Sequence, residues 1–197
     1  MLNLVFLPAT EPGDTTYGTA PDRIEAYPGA SIRQIRYPTL VWYNAAVQRE
    51  AVRQIRAFGI APLVLVGFSK SGLGAWNIAR ALPALVSGTI IFDAPVARRE
   101  LPPWGTEPFY ANDAAWQEDL PMNTIGPFKA SMPGTHKLVL ISGESFRVEM
   151  EALSKALTQA CVDHAFLSRP RQRHHWQSGW IEEGLKAVIG AGERDSS

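Results

Sequence analysis

The 197-residue chain carries 19 Lys and Arg against 19 Asp and Glu, a formal net charge of zero, and 46% of its residues are hydrophobic. That balance argues against a nucleic-acid protein, which neutralises phosphates with excess cations, and removes bulk attraction to acidic membranes. The apolar content suffices for a core and excludes general disorder. One cysteine, Cys161, excludes an intramolecular disulfide and a Cys-based zinc site. The length fits a single domain over residues 1–197. No run of about 18 apolar residues occurs. Met1–Pro8 is too short and lacks the basic start of a signal peptide. The expectation is a soluble cytoplasmic protein, with no membrane or nucleic-acid partner and an oligomeric state left open.

In chain order, Leu2–Leu7 is a short apolar run stopped by Pro8 and reads as a buried strand. Ala9–Gly29, rich in Pro, Gly, Asp and Thr, reads as a long loop. Ser31–Tyr37 is strand-like but polar through Arg33, Gln34 and Arg36, which suits a sheet edge. Thr39–Phe58 repeats apolar residues at helical spacing and closes at Gly59. Leu63–Val66 is a strand covered on both faces. A turn over Gly67–Gly74 and a helix to Leu82 follow. Gly88–Phe92 and Lys137–Ile141 are further buried strands, and Ala94–Thr135 between them reads as irregular. Arg147–Ala160 is an amphipathic helix, Val162–Leu167 a weaker strand and Ile181–Ile189 a last helix. This alternation predicts an α/β three-layer sandwich: a six-stranded, mainly parallel sheet with helices on both faces. Ligands in such sheets bind beyond the carboxyl ends of the strands.

One such end carries Gly67-Phe68-Ser69-Lys70-Ser71-Gly72. The text matches the nucleophile elbow G-x-S-x-G, with Ser71 in the place of the second glycine. A serine there stands in strained backbone with its hydroxyl above the sheet. The Lys70 amide, at a helix N-terminus, is placed to bind an oxyanion. A phosphate-binding loop fails because Leu73-Gly74 replace Lys-Ser/Thr after Gly72, and a dinucleotide fingerprint fails because Asn77 takes the third glycine's place.

A serine nucleophile needs a base. His136 and His164 lie at the wrong ends of their strands, whereas His174 and His175 follow the last one. His174 is preferred, with His175 the alternative. For the acid, Asp93 directly ends Thr89–Phe92, and Glu144 follows the next strand. Asp93 is preferred, with Glu144 the alternative. No acidic or Cys partner sits at metal-ligand spacing from the histidine pair, and the chemistry calls for no metal or other cofactor.

The elbow, Asp93-Ala94-Pro95 and His174-His175-Trp176-Gln177-Ser178-Gly179-Trp180 together resemble the α/β-hydrolase superfamily, and more loosely a group of small bacterial serine hydrolases. The resemblance spans about Leu2 to Gly190 and follows the chain order Ser, acid, His. It implies a carboxylesterase-like enzyme cleaving a small ester or related acyl bond through Ser69, His174 and Asp93. The alternatives are a non-catalytic binding protein on the same fold, or an acyltransferase or thioesterase on the same triad. By order, Leu2–Leu7 corresponds to the superfamily's third strand, so the early N-terminal strands are expected to be absent. The loop after it implies Thr10, less so Ala9, as the second oxyanion donor beside Lys70. Residues 94–135 fall where the superfamily inserts lids or caps. Their aromatics suit an apolar substrate group, and packing of the insert onto the core explains them equally.

Overall fold

The computed structural model describes residues 2–9, 29–37, 42–103 and 109–193, with side chains described up to residue 190. Six strands form one sheet: β1 (Leu2–Phe6), β2 (Ala30–Gln34), β3 (Leu63–Phe68), β4 (Val86–Phe92), β5 (Lys137–Ser142) and β6 (Ala165–Ser168). Their order is β2-β1-β3-β4-β5-β6, and every pairing is parallel. The polar strand β2 is at an edge, as its arginines predict. Helices α1 (Ala45–Ala57), α2 (Lys70–Ala81), α3 (Asp113–Asp119), α4 (Ile125–Ser131), α5 (Arg147–Gln159) and α6 (Trp180–Glu193) surround the sheet, with a 3-10 turn at Pro121–Asn123. No described helix is long and apolar enough to cross a membrane.

The pleat sends successive side chains to opposite faces, and this divides the core in two. Val5, Leu65, Ile91 and Leu140 face α1, α2 and α5, where Val47, Ala51, Leu73, Ile78, Met150 and Leu153 meet them. Leu4, Phe6, Val66, Phe68, Phe92 and Ile141 face α6, through Trp180, Ile181 and Leu185. Helices therefore cover both faces, unequally among the described residues.

Element boundaries differ from the sequence reading for local reasons. The helix expected over Thr39–Phe58 starts only at Ala45, because Asn44 caps it: Asn44 Oδ1 accepts the N–H groups of Ala46 and Val47 at 3.1 and 3.2 Å. Trp42 and Tyr43 are buried outside the helix. The expected turn over Gly67–Gly74 shrinks to Ser69 alone, since β3 runs to Phe68 and α2 begins at Lys70. The stretch Ala94–Thr135 contains α3, the 3-10 turn and α4 instead of being wholly irregular. Asn112 caps α3 through the Ala115 N–H, and Pro121 opens the 3-10 turn. Its aromatics pack inward: Tyr110, Trp116 and Phe128 join the core, and Phe128 stacks on Trp76 with ring centroids 3.9 Å apart. Most of the loop Ala9–Gly29, and Trp104 and Pro108 of the insert, lie outside the described residues.

Close packing between α2 and the chain before α1 leaves no spare volume. A Cβ on Gly74 would fall 2.2 Å from the Tyr43 ring. That ring is pinned, because Tyr43 Oη donates to the Pro8 carbonyl at 2.7 Å. Gly74→Ala therefore overpacks the core and is expected to cost about 1–3 kcal/mol. The check is urea unfolding, with a lowered midpoint at unchanged slope; an unchanged midpoint contradicts this packing.

Candidate active site

The carboxyl ends of β3, β4 and β5 meet at one point. Beyond β3, the Ser69 N–H donates to Phe92 O at 3.0 Å, and beyond β4 the Asp93 N–H donates to Ile141 O at 2.8 Å. The two turns are thus stitched side by side by the sheet's own ladder.

Ser69 adopts φ +54° and ψ −124°, a conformation that costs an L-residue of order 1–3 kcal/mol and persists only where the surroundings impose it. The surroundings are visible. A Cβ on Gly67 would lie 2.4 Å from the Ser71 carbonyl oxygen, and one on Gly72 would lie 2.7 Å from the Ala94 Cβ. Only glycine lets α2 leave the strand this sharply. Ser71, fully buried, fastens the turn: its hydroxyl accepts the Phe68 N–H at 2.8 Å and donates to the Phe68 carbonyl at 2.9 Å. That engagement removes Ser71 from consideration as a nucleophile. In the sequence Ser71 stands only in the place of the motif's second glycine, and nothing in the motif signals the two bonds. Ser69 itself is only 4% exposed, so its hydroxyl lies below the surface rim. Among the described residues Ser69 Oγ makes no hydrogen bond.

Asp93 also has positive φ, +42°, which Asp tolerates better than most residues. Its side chain is 0% exposed. Oδ1 accepts the N–H groups of Gly143 and Phe146 at 2.9 and 2.8 Å, and Oδ2 accepts that of Ser145 at 3.0 Å. His174 Nδ1 lies 2.8 Å from Oδ2. A Cβ on Gly143 would fall 2.6 Å from that oxygen, so the glycine after β5 is the seat of the carboxylate. Burial, the largest single influence, pushes the Asp93 carboxyl up. The hydrogen bonds from His174, Phe146 and Ser145, with the attraction of His174, outweigh it and hold the group below its usual range.

The imidazole of His174 is positioned from three directions. Asp93 fixes the Nδ1 edge, the Phe68 ring lies 4.5 Å away centroid to centroid, and the Phe146 ring 5.4 Å. Phe68 directly precedes Ser69, so this tilted ring contact brings the imidazole to the elbow. A proton on Nδ1, donated to Asp93, leaves Nε2 with a free lone pair. Glu144 plays a different part: Oε1 accepts the His174 backbone N–H at 3.0 Å, and its own N–H donates to Gln172 O. It holds the histidine loop and not the ring. His175 turns its Nδ1 to the Gln177 N–H at 3.0 Å, within its own turn. Below lies an aromatic floor in which Phe68, Trp176 and Trp180 pack together.

The Lys70 amide begins α2, where the helix dipole favours negative charge. The other expected donor, Thr10, lies outside the described residues. His136 sits before β5, buried between Thr89 and the Val86 carbonyl. His164 bonds Ser154 before β6. Neither is at the carboxyl ends.

No family model matches the chain, and no curated protein does. Solved structures do. FphF, a fluorophosphonate-binding serine hydrolase of Staphylococcus aureus, is similar at TM-score 0.64 and 14% identity, over 95% of this chain and 83% of that one. Carboxyl esterase 2 from Tuber melanosporum gives 0.63 and 12%, over 95% and 76%. The S-formylglutathione hydrolase FrmB of Staphylococcus aureus gives 0.60 and 15%, over 95% and 82%. At these identities the likeness establishes the fold: the chain has the α/β-hydrolase fold.

The Asp93 geometry sets an acid dependence. Its folded-state pKa lies below the unfolded value of about 4. Its contribution to stability is therefore present above that value and lost as pH falls through the folded pKa. Asp93→Asn is expected to be less stable than wild type at neutral pH, with the gap narrowing from about pH 5 to about pH 3. Urea titrations across that range check it; a constant gap contradicts it.

Proposed function

We propose that the protein is a serine hydrolase that cleaves a small ester or related acyl bond. The observation that supports this reading best is the pairing of a strained elbow serine, Ser69, with an imidazole ring whose Nδ1 is fixed 2.8 Å from a fully buried carboxylate. In this reading Ser69 Oγ attacks the substrate carbonyl while His174 Nε2 takes its proton. Asp93 holds the tautomer and stabilises the imidazolium. The Lys70 amide, with Thr10 as its partner, receives the charge that develops on the carbonyl oxygen. The tetrahedral adduct collapses, His174 returns the proton to the leaving alcohol, and water releases the acyl group by the same steps in reverse.

The open Ser69–His174 link is compatible with this sequence, because catalytic hydrogen bonds are often long without substrate and tighten in the Michaelis complex. Residues 94–135 are read as an insert within one hydrolase domain, forming a wall of the site and not a freely hinged lid. Support for that comes from α3 and α4, which are tied to the core by Trp116 and Phe128, and from Trp116 Nε1 donating to Arg98 O at 2.8 Å.

Hydrolysis of p-nitrophenyl acetate tests the assignment. Ser69→Ala and His174→Ala are each expected to lower kcat by about three orders of magnitude or more. Ser71→Ala is expected to lower stability through its lost bonds, with a far smaller effect on kcat. Full turnover by Ser69→Ala removes the assignment.

A further inference from the structure

The side of α1 that turns away from the core carries a row of cations for which the hydrolase chemistry has no use. Val47, Ala51 and Ile55 bury one side of this helix. Arg49, Arg53 and Arg56, at i, i+4 and i+7, stand exposed on the far side. The helical rise sets them about 6 and 4.5 Å apart along the axis. Like charges at these spacings repel one another and weaken a helix. Glu50 answers only one of them. Its two oxygens take Arg53 at 2.8 and 2.6 Å, and it also accepts Gln54 Nε2 at 2.9 Å. Among the described residues, the guanidinium groups of Arg49 and Arg56 have no hydrogen bond and no ion pair.

These cations border a groove. Arg49, Arg53 and Arg56 line a hollow of about 500 Å³ with Ala45, Val52 and Ala81, where α1 runs beside the end of α2. The floor is small and apolar, so a second backbone can approach closely, and the walls are positive. Arginine's planar fork suits a carboxylate, which it binds through two parallel N–H groups. The complementary occupant is an amphipathic helix with a row of carboxylates beside an apolar stripe. Glutamates at i, i+4 and i+7 of such a helix repeat the rises of about 6 and 4.5 Å. A flat anionic bilayer fits the hollow less well, because it cannot enter a groove between two helices.

We infer that this groove is a docking site for an acidic helical segment of a partner protein. Arg49 and Arg56 hold its carboxylates, and Val52 lies under its apolar stripe. Docking there uses neither Ser69 nor His174 and is independent of the hydrolase reading.

Fluorescence anisotropy of a labelled alanine- and leucine-based peptide with glutamates at i, i+4 and i+7 tests the site, against an isomer of the same composition in scrambled order. The wild-type protein is expected to bind the patterned peptide at low salt at least about tenfold more tightly than the isomer, and less tightly as NaCl screens the pairs. Arg49→Glu combined with Arg56→Glu is expected to weaken binding about tenfold or more. Arg49→Lys combined with Arg56→Lys is expected to keep much of it. Lys155→Glu combined with Lys186→Glu, exposed on α5 and α6, changes the net charge equally and is expected to bind as wild type does. Urea unfolding midpoints show whether each variant is folded, and the comparison of the two peptides needs no variant. Absent binding, equal binding of both peptides, or equal loss in the two charge-reversed proteins overturns the docking site. Arginine-dependent binding to phosphatidylglycerol vesicles without binding of the peptide overturns the helical partner in favour of a membrane surface.

Discussion

The site depends on one buried carboxylate. Asp93 accepts hydrogen bonds from the amides of Gly143, Ser145 and Phe146 and faces the Nδ1 of His174. An ionised carboxylate inside a protein is costly unless every lone pair is occupied. Here the turn after β5 and the histidine loop supply the donors together. The same charge thus fixes two backbone segments and one imidazole. Removing it would leave three amides, two of them buried, without their acceptor, which is why stability and ring orientation are linked in this fold.

The rest of the constellation divides into parts that hold backbone and parts that hold rings. Glu144 and Gln172 set the course of the histidine loop. Phe68 and Phe146 flank the imidazole. Gly67, Gly72 and the Ser71 hydroxyl force the elbow that lifts Ser69 out of the strand. Each of these lies within a few residues of a strand's carboxyl end, so the parallel ladder itself sets the spacing of the parts. Strain at Ser69 is sustained because α2 packs along its length against the sheet and Tyr43.

Much of this is legible in the sequence, and the remainder is illegible for identifiable reasons. Strands such as Leu63–Phe68 stand out because both of their faces are buried, which demands continuous apolar text. The start of α1 is hidden because Trp42 and Tyr43 continue the apolar rhythm across the Asn44 cap. The helices of the insert are seven residues each, too short for a periodic pattern to emerge among prolines. Asp93 and Glu144 cannot be separated by motif alone, since both follow adjacent strands. The distinction lies in the β4–β5 register, where Phe92 pairs with Ile141 and puts Asp93 beside Gly143. His174 and His175 are likewise neighbours in one turn, and the backbone set by Glu144 decides which ring meets Asp93.

The central claim is that Ser69 is a nucleophile made reactive by an imidazole that Asp93 orients. Reaction with a fluorophosphonate, followed by peptide mass spectrometry and timed across variants, tests it most directly. The account predicts a covalent adduct on Ser69 in the wild type, formed much more slowly in folded Asp93→Asn and His174→Ala. An adduct on Ser71 or elsewhere, or equal labelling rates in all three proteins, would contradict it.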